Sequence, residues 1–289
     1  MGVASKAQID GKEQIQRLLL SSLVPFKDHP FRVVDDDRMK ETVESIQEYG
    51  VLVPILVRPL EDGAYEIISG HRRKRAAALL GYRKIPVLIQ PMSYEDAVVK
   101  MVDTNLHREH ISFSEKAFAY RMKNEAMKQK VGRKKGQSGQ QKKGKKTIEL
   151  IGEEFGDSPK QVQRYIAVTR LIPELLQKLD RGEISFNPAV EISALTKEEQ
   201  KELLEAMNYA QSTPSVSQAQ RIKKLSKAGE LTKKLMEDIL SEIKKGEVTR
   251  VEFNNAQLHK FFPYNYSPAM MKREILAILK IYKEQYSEK

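Results

Sequence analysis

Ile68-Ser69-Gly70-His71-Arg72-Arg73-Lys74-Arg75 is the stretch on which the fold of this chain turns. It closes a strand-like run, Tyr65 to Ser69, and opens a run rich in alanine and leucine that lasts to Leu80, where Gly81 stops it. The pattern predicts strand, glycine, helix. A helix starting near Gly70 directs unpaired N–H groups and about half a positive charge out of its first turn. Asp or Glu would complement that charge, yet the chain places His71, Arg72, Arg73, Lys74 and Arg75 there. Such crowding costs stability unless an anion sits on the turn. Glycine lets a phosphate approach the backbone, and arginine forks grip its oxygens in pairs. A plainer alternative is a basic face paired with acids elsewhere in the chain. The spacing is not that of a Walker A loop.

Working outward, Met39 to Tyr49 reads as a helix with Met39, Val43 and Ile46 on one face and Gly50 as its cap. Val51 to Arg58 reads as a strand whose Pro54 marks an edge or a bulge. Glu61-Asp62-Gly63 forms a turn before the strand at Tyr65, and Ile85 to Ile89 is a third strand. Strand, helix, strand within about thirty residues has the size of a βαβ-like unit. Ser93 with Asp96 starts a helix running to about Arg108, and Ser112 with Glu115 is a capping box. Beyond it the chain reads as helical, with starts near Thr147, Ser158, Pro173, Asn187, Thr196, Ser215, Thr232 and Ser267. The first twenty residues, ending Leu18-Leu19-Leu20, read as an arm. The expected organisation is an arm over 1–20, an α+β domain with a small mixed sheet over 21–111, an all-α domain over 112–210, and a helical region over 211–289.

A length of 289 residues suits two or three modules, and 40% hydrophobic content suits a soluble chain. The longest apolar run, Val51 to Val57, is far short of the roughly 20 residues a bilayer span needs. No export signal opens the sequence, so the expected location is the cytoplasm. Zero cysteines exclude disulfides, thiolate metal sites and thiol catalysis. Net charge is +11, and nine basic residues with no acid lie between Lys128 and Lys146, leaving only +2 for the rest. That segment also holds four glycines, four glutamines and only Val131 as an apolar residue, so it reads as a loop or linker. A dense positive segment invites a polyanion, nucleic acid before an anionic membrane.

Two further stretches carry chemistry. In Asp103-Thr104-Asn105-Leu106-His107-Arg108-Glu109-His110, Asn105 and Arg108 stand three apart at a helix end and can address one ligand. A zinc site at His107 and His110 fails on spacing and ligand count. Between Ile148 and Ile166, one helix buries Ile148, Ile151 and Phe155, a glycine turn follows, and Ser158-Pro159 caps a second helix that buries Val162, Tyr165 and Ile166. Lys160, Gln161, Gln163 and Arg164 then face outward, the layout of a helix-turn-helix whose second helix reads the major groove. Gln and Arg pair with adenine and guanine edges. Lys134, Lys135, Lys142, Lys143, Lys145 and Lys146 stand just upstream for phosphate contacts, as does Ser158 at the helix start. Near the end, Met271, Ile275, Leu279 and Tyr282 form a helical stripe that fits either local core or a dimer contact.

Val51-Leu52-Val53-Pro54-Ile55-Leu56-Val57-Arg58, Tyr65-Glu66-Ile67-Ile68-Ser69-Gly70-His71-Arg72-Arg73 and Thr104-Asn105-Leu106-His107-Arg108-Glu109 follow the order and spacing of ParB-type partition proteins. The chain resembles that family from about Leu23 to Leu195, and its basic helical style is similar to ParB-like proteins of Gram-positive mobile elements. The resemblance implies a CTP-responsive clamp that binds a palindromic centromere-like site on double-stranded DNA, acts as a homodimer with a ParA-type ATPase, and stays on the nucleoid. It assigns the nucleotide to Ser69, Gly70, His71, Arg72, Arg73, Thr104, Asn105 and Arg108, with Asn105 also toward Mg2+.

Two positions depart from the family pattern. His71 and Thr104 replace family glutamates that serve magnesium or hydrolysis, and neither brings a carboxylate. Magnesium is then held weakly or through phosphate and water, and the chain is at most a weak CTPase. Sulfiredoxin, which shares the N-terminal fold, needs a cysteine that is missing here. The remaining rivals are a ParB-like nuclease or nucleotide-using enzyme, with Glu66 or Asp103 as its carboxylate, and a transcriptional regulator that uses no nucleotide.

Overall fold

The computed structural model describes residues 14–106, 108, 111–135, 145–242 and 253–286. The chain divides into two units, Met1–Glu242 and Ile243–Lys289. The first begins with strands β1 (Gln14–Leu19) and β2 (Leu23–Val24), joined by a 3-10 turn, and then helix α1 (Asp37–Tyr49). Strands β3 (Ile55–Pro59) and β4 (Tyr65–Ser69), helix α2 (His71–Leu79), strand β5 (Lys84–Ile89) and helix α3 (Tyr94–Leu106) follow.

The sheet order is β1-β5-β3-β4-β2, with β3 parallel to β5, β2 parallel to β4, and the other pairs antiparallel. This mixed sheet departs from the sequence expectations in three places. The expected N-terminal arm contributes β1, in which Leu18 stands opposite Ile85 and packs on the sheet core. Pro54 lies just ahead of β3, and β3 is central, so the proline spares a ladder hydrogen bond by standing outside the strand. β4 and β5 are not neighbours, because β3 runs between them; β5 pairs in parallel with β3 instead, linked to it through both β4 and α2. Alternation places Ile55, Val57, Ile85 and Val87 in the core. On the flanks, α1 buries Met39 and Ile46 with Ala76 of α2, and α3 buries Ala97, Val98, Met101 and Val102 with Phe26, Phe31 and Ile68.

Helices α4 (Phe113–Lys135), α5 (Thr147–Phe155), α6 (Pro159–Val168), α7 (Pro173–Asp180), α8 (Phe186–Ile192), α9 (Lys197–Ala210), α10 (Val216–Ala228) and α11 (Lys233–Ser241) complete the first unit. α4 takes the first eight residues of the basic segment, 128–135, into the helix. Lys, Gln and Arg are good helix formers, and Lys130 is anchored by an ion pair to Asp96, so the helix outlasts its apolar face. Residues 136–144 lie outside the described residues. One core joins Tyr120 (α4), Ile151 (α5), Val162 (α6), Leu175 (α7), Leu203 (α9), Ile222 (α10) and Ile239 (α11). α10 and α11 share that core, and the first unit runs to Glu242.

The turn from α5 to α6 is built on two glycines. Gly156 ends α5 at φ +73°, a region that side chains rarely adopt. Gly152 lies against the following turn: Asp157 N–H donates to its carbonyl at 2.9 Å, and a Cβ there would overlap the Asp157 carbonyl oxygen.

The second unit holds α12 (Asn255–Leu258) and α13 (Pro268–Tyr286). Met271 is buried there, while Leu276, Ile278, Leu279, Ile281 and Tyr282 are all more than half exposed. Among the described residues, no helix is long and apolar enough to cross a membrane.

Candidate functional site

Gly70 turns the chain from β4 into α2 with φ +105°. Any side chain there would also come within 3.1 Å of Ile55 Cγ1 and Arg73 Nη2. The glycine therefore packs the first turn of α2 tightly onto the sheet. Each cation of that turn has a protein partner. Arg73 donates to the carbonyl oxygens of Val53 and Pro54, the latter at 2.8 Å, and Lys74 donates to that of Leu23 at 2.7 Å. Arg72 pairs with Asp36 and Arg75 with Asp35, both at 2.7 Å. Asp35 and Asp36 thus supply counter-charges for Arg75 and Arg72, the arrangement of the plainer alternative, and were the signal to weigh against the basic run.

Behind Arg72 stands a column of rings. His71 lies 3.9 Å from His29, His29 lies 5.6 Å from Phe31, and the Arg108 guanidinium covers Phe31 at 5.5 Å (ring centroids). His29 Nδ1 meets the Phe31 carbonyl oxygen at 2.7 Å, while Nε2 of both histidines is buried without a partner. Burial, with His29, Arg108 and Lys74 nearby, pushes the His71 pKa down to about 3. Burial also lowers the His29 pKa against the opposing Phe31 hydrogen bond. Both rings are therefore neutral near pH 7.

A cleft of about 690 Å³ opens beside this column. Its wall includes Arg32, Asp36, Arg72 and Arg108 together with Ser112, Glu115 and Asp180. Of the residues assigned to the nucleotide, Arg72 and Arg108 line this cleft; Ser69, Gly70 and His71 do not, and Arg73 lines a separate cleft with Val51, Leu52 and Val53. Asn105 is 2% exposed and donates to the Met101 carbonyl at 2.7 Å, and Thr104 bonds the same carbonyl at 3.0 Å. Neither lines the cleft.

The donors present do not form a resident magnesium site. Asp36 is engaged by Arg72, Glu115 accepts from the Ser112 and Arg32 amides, and no group of three or more His, Asp or Glu suited to a metal occurs among the described residues. His107, Glu109 and His110 lie outside them.

Ser112 and Glu115 connect the cleft to the helical layer. Ser112 and Glu115 cap α4 reciprocally, and Ser114 donates to Asp180 of α7 through N–H at 2.9 Å and through its hydroxyl at 2.5 Å. Phe113, between them, stacks on Phe186 of α8 at 5.4 Å, and Phe186 packs on Tyr165 of α6 at 4.7 Å. The Arg164 guanidinium lies over the same Phe186 at 5.1 Å, donating to Gln161 Oε1 at 3.1 Å and to Asn187 Oδ1. Lys160 and Gln163 are exposed; Gln161 and Arg164 are half-buried, held ready on the helix instead of free in solvent. Ser158 caps α6 through the Gln161 amide at 3.1 Å. Lys145 pairs with Glu153 at 2.5 Å, and Lys146 precedes α5. Lys134 and Lys135 end α4, and Lys142 and Lys143 lie outside the described residues.

Residues 4–106 match the family model described as the ParB N-terminal domain, so this part of the chain is similar to ParB-type proteins. Curated relatives are nucleoid occlusion proteins from Bacillus thuringiensis (strain Al Hakam) and Bacillus anthracis, each 39% identical over 144 residues. The match covers 46% of this chain and 49% of each relative, so the chain spans about half the length of the curated relatives it matches. Among solved structures, C-terminally truncated ParB from Caulobacter crescentus in complex with the centromeric parS site is 22% identical with a TM-score of 0.39, covering 78% of this chain and 98% of that one. Its complex with CTP-γ-S is 25% identical with a TM-score of 0.31, covering 68% and 99%.

Proposed function

We propose that this chain is a ParB-like DNA-binding partition protein whose N-terminal cleft takes CTP and whose α6 reads double-stranded DNA. One observation carries the proposal. The first turn of α4 borders the cleft through Ser112 and Glu115 and, through Phe113 between them, touches the aromatic stack that holds Arg164. A ligand against Arg72 and Arg108 would therefore share the first turn of α4 with the stack that holds the element proposed to contact bases. The ParB-type match over 4–106 and the relatives' name support the same assignment. Magnesium, where present, would ride on the nucleotide's phosphates and water, so turnover is slow or absent. We assign the apolar stripe of α13 to self-association and a ParA-type ATPase as partner; the chain would then work on the nucleoid.

A specific observation favours a second assignment. Asp35 and Asp36 already satisfy Arg75 and Arg72, as in a regulator that needs no nucleotide. Isothermal titration of CTP against ATP, with and without a DNA palindrome selected by genome-wide footprinting, separates the two. CTP-specific binding strengthened by that DNA supports the clamp. DNA binding with no nucleotide heat supports the plain regulator.

A further inference from the structure

Asp36 holds two helices with one oxygen. Its Oδ1 accepts the Met39 N–H at 2.9 Å, capping α1, and the Arg72 Nη2–H at 2.7 Å, tying that cap to α2. Asp35 makes a second tie to Arg75, at 2.7 Å through Oδ2. At its other end the same segment is fixed by the Arg32 amide, which donates to Glu115 Oε1 of α4 at 2.8 Å. Residues 32–36 thus form a strap along the cleft, tied to α4 at one end and, through carboxylates, to the first turns of α2 at the other. Both arginine ties are partly exposed, with the Asp36 and Asp35 side chains 45% and 51% accessible, so an incoming anion can reach them.

We propose that the strap carries a self-inhibitory latch: Asp36 holds Arg72 in the free chain, and a phosphate entering the cleft takes Arg72 in its place and frees the Asp36 carboxylate from α2. The latch rests on the nucleotide assignment above and adds to it a competitor carried by the chain itself. Exchange suits the chemistry. A polyphosphate offers a guanidinium more charge and more acceptor oxygens than one carboxylate. Asp36 keeps its bond to the Met39 amide when Arg72 leaves, so the latch opens without uncapping α1. What changes is the tether between α1 and α2 at the mouth of the cleft.

Asp36→Asn tests this directly, because asparagine caps a helix as well as aspartate does and lacks only the charge. Asp37→Asn is the matched control: it makes the same change in net charge one residue away, where the carboxylate pairs with Lys40 and not with the basic turn of α2 among the described residues. Binding of CTP, and of inorganic tripolyphosphate as a probe without base or sugar, is measured by titration calorimetry for the wild type and both variants. The latch predicts that Asp36→Asn binds either anion roughly two- to fivefold more tightly, the range an exposed ion pair commands. Asp37→Asn should gain clearly less. Equal gains in both variants mean general electrostatics and overturn the latch, as does no gain in either. If tripolyphosphate binds as well as CTP, the nucleotide assignment falls, and the ratio between the variants still decides the latch. If no anion binds even to Asp36→Asn, both fall.

Discussion

Lys123 Nζ reaches Glu154 at 2.5 Å and also pairs with Asp103, from a side chain only 1% exposed. One buried ammonium thereby joins α3, which packs on Phe26, Phe31 and Ile68, to α5, which leads into α6. Phe155 adds its ring face 4.6 Å away. Lys123→Met should destabilise the chain by about 1.5–3 kcal/mol, the value of hydrogen bonds to a charged group. The larger penalty of a fully buried pair does not apply, because Asp103 and Glu154 are 34% and 42% exposed and can rehydrate. Urea unfolding checks the number.

Gly70→Ala should cost roughly 1–3 kcal/mol for the strained backbone alone, and more if Ile55 and Arg73 cannot move aside. Thermal unfolding measures the loss. CTP affinity should fall with it, since Arg73 anchors the turn that carries Arg72.

Stability should depend on His71 in mild acid. The folded chain resists protonating this ring until about pH 3, whereas the unfolded chain protonates it near 6.5. Between those values the unfolded state binds more protons, so stability falls as pH drops, by at most about 1.4 kcal/mol per pH unit. His71→Gln should flatten that slope in denaturation curves taken from pH 7 to pH 4. An unchanged slope would falsify the assignment to His71.

Arg164→Ala should weaken binding to the preferred DNA by roughly 1–3 kcal/mol while sparing nonspecific DNA, the mark of a missing bidentate bond to a base. Arg164→Lys keeps the charge but not the fork bonded to Gln161 and Asn187, so it should rescue little. Competition binding against scrambled duplex reads both.

Replacing Lys142 and Lys143 with glutamine should make the salt dependence of DNA binding shallower by up to about 2 in log–log slope, near 0.9 for each phosphate no longer neutralised. This double change is cleaner than removing 128–146, because the first eight of those residues belong to α4.

Much of the fold was legible because local signals were strong. Helix starts at Ser112, Ser158, Thr196, Ser215 and Thr232 follow from caps that the structure forms. Strand order was not legible: β3 between β4 and β5 is a long-range pairing that no periodicity encodes. The end of α4 was missed because glycines and charge masked helix propensity that an ion pair to Asp96 supports. At the site, Gly70 and the basic turn were readable, whereas the partners of Arg72 and Arg75 came from 36 and 40 residues upstream. Asn105 had the right spacing to face a ligand, but it closes onto its own helix through Met101.

Gly152 narrows what evolution can do with this architecture. The atom a side chain there would strike is a peptide oxygen, which cannot swing away as a flexible side chain can. Descendants that keep the α5–α6 corner must therefore keep hydrogen at this position, and lineages that lose the glycine should show a rebuilt corner. Aligned sequences of close kin, sorted by whether they hold glycine there, give a direct count of which outcome natural selection has permitted.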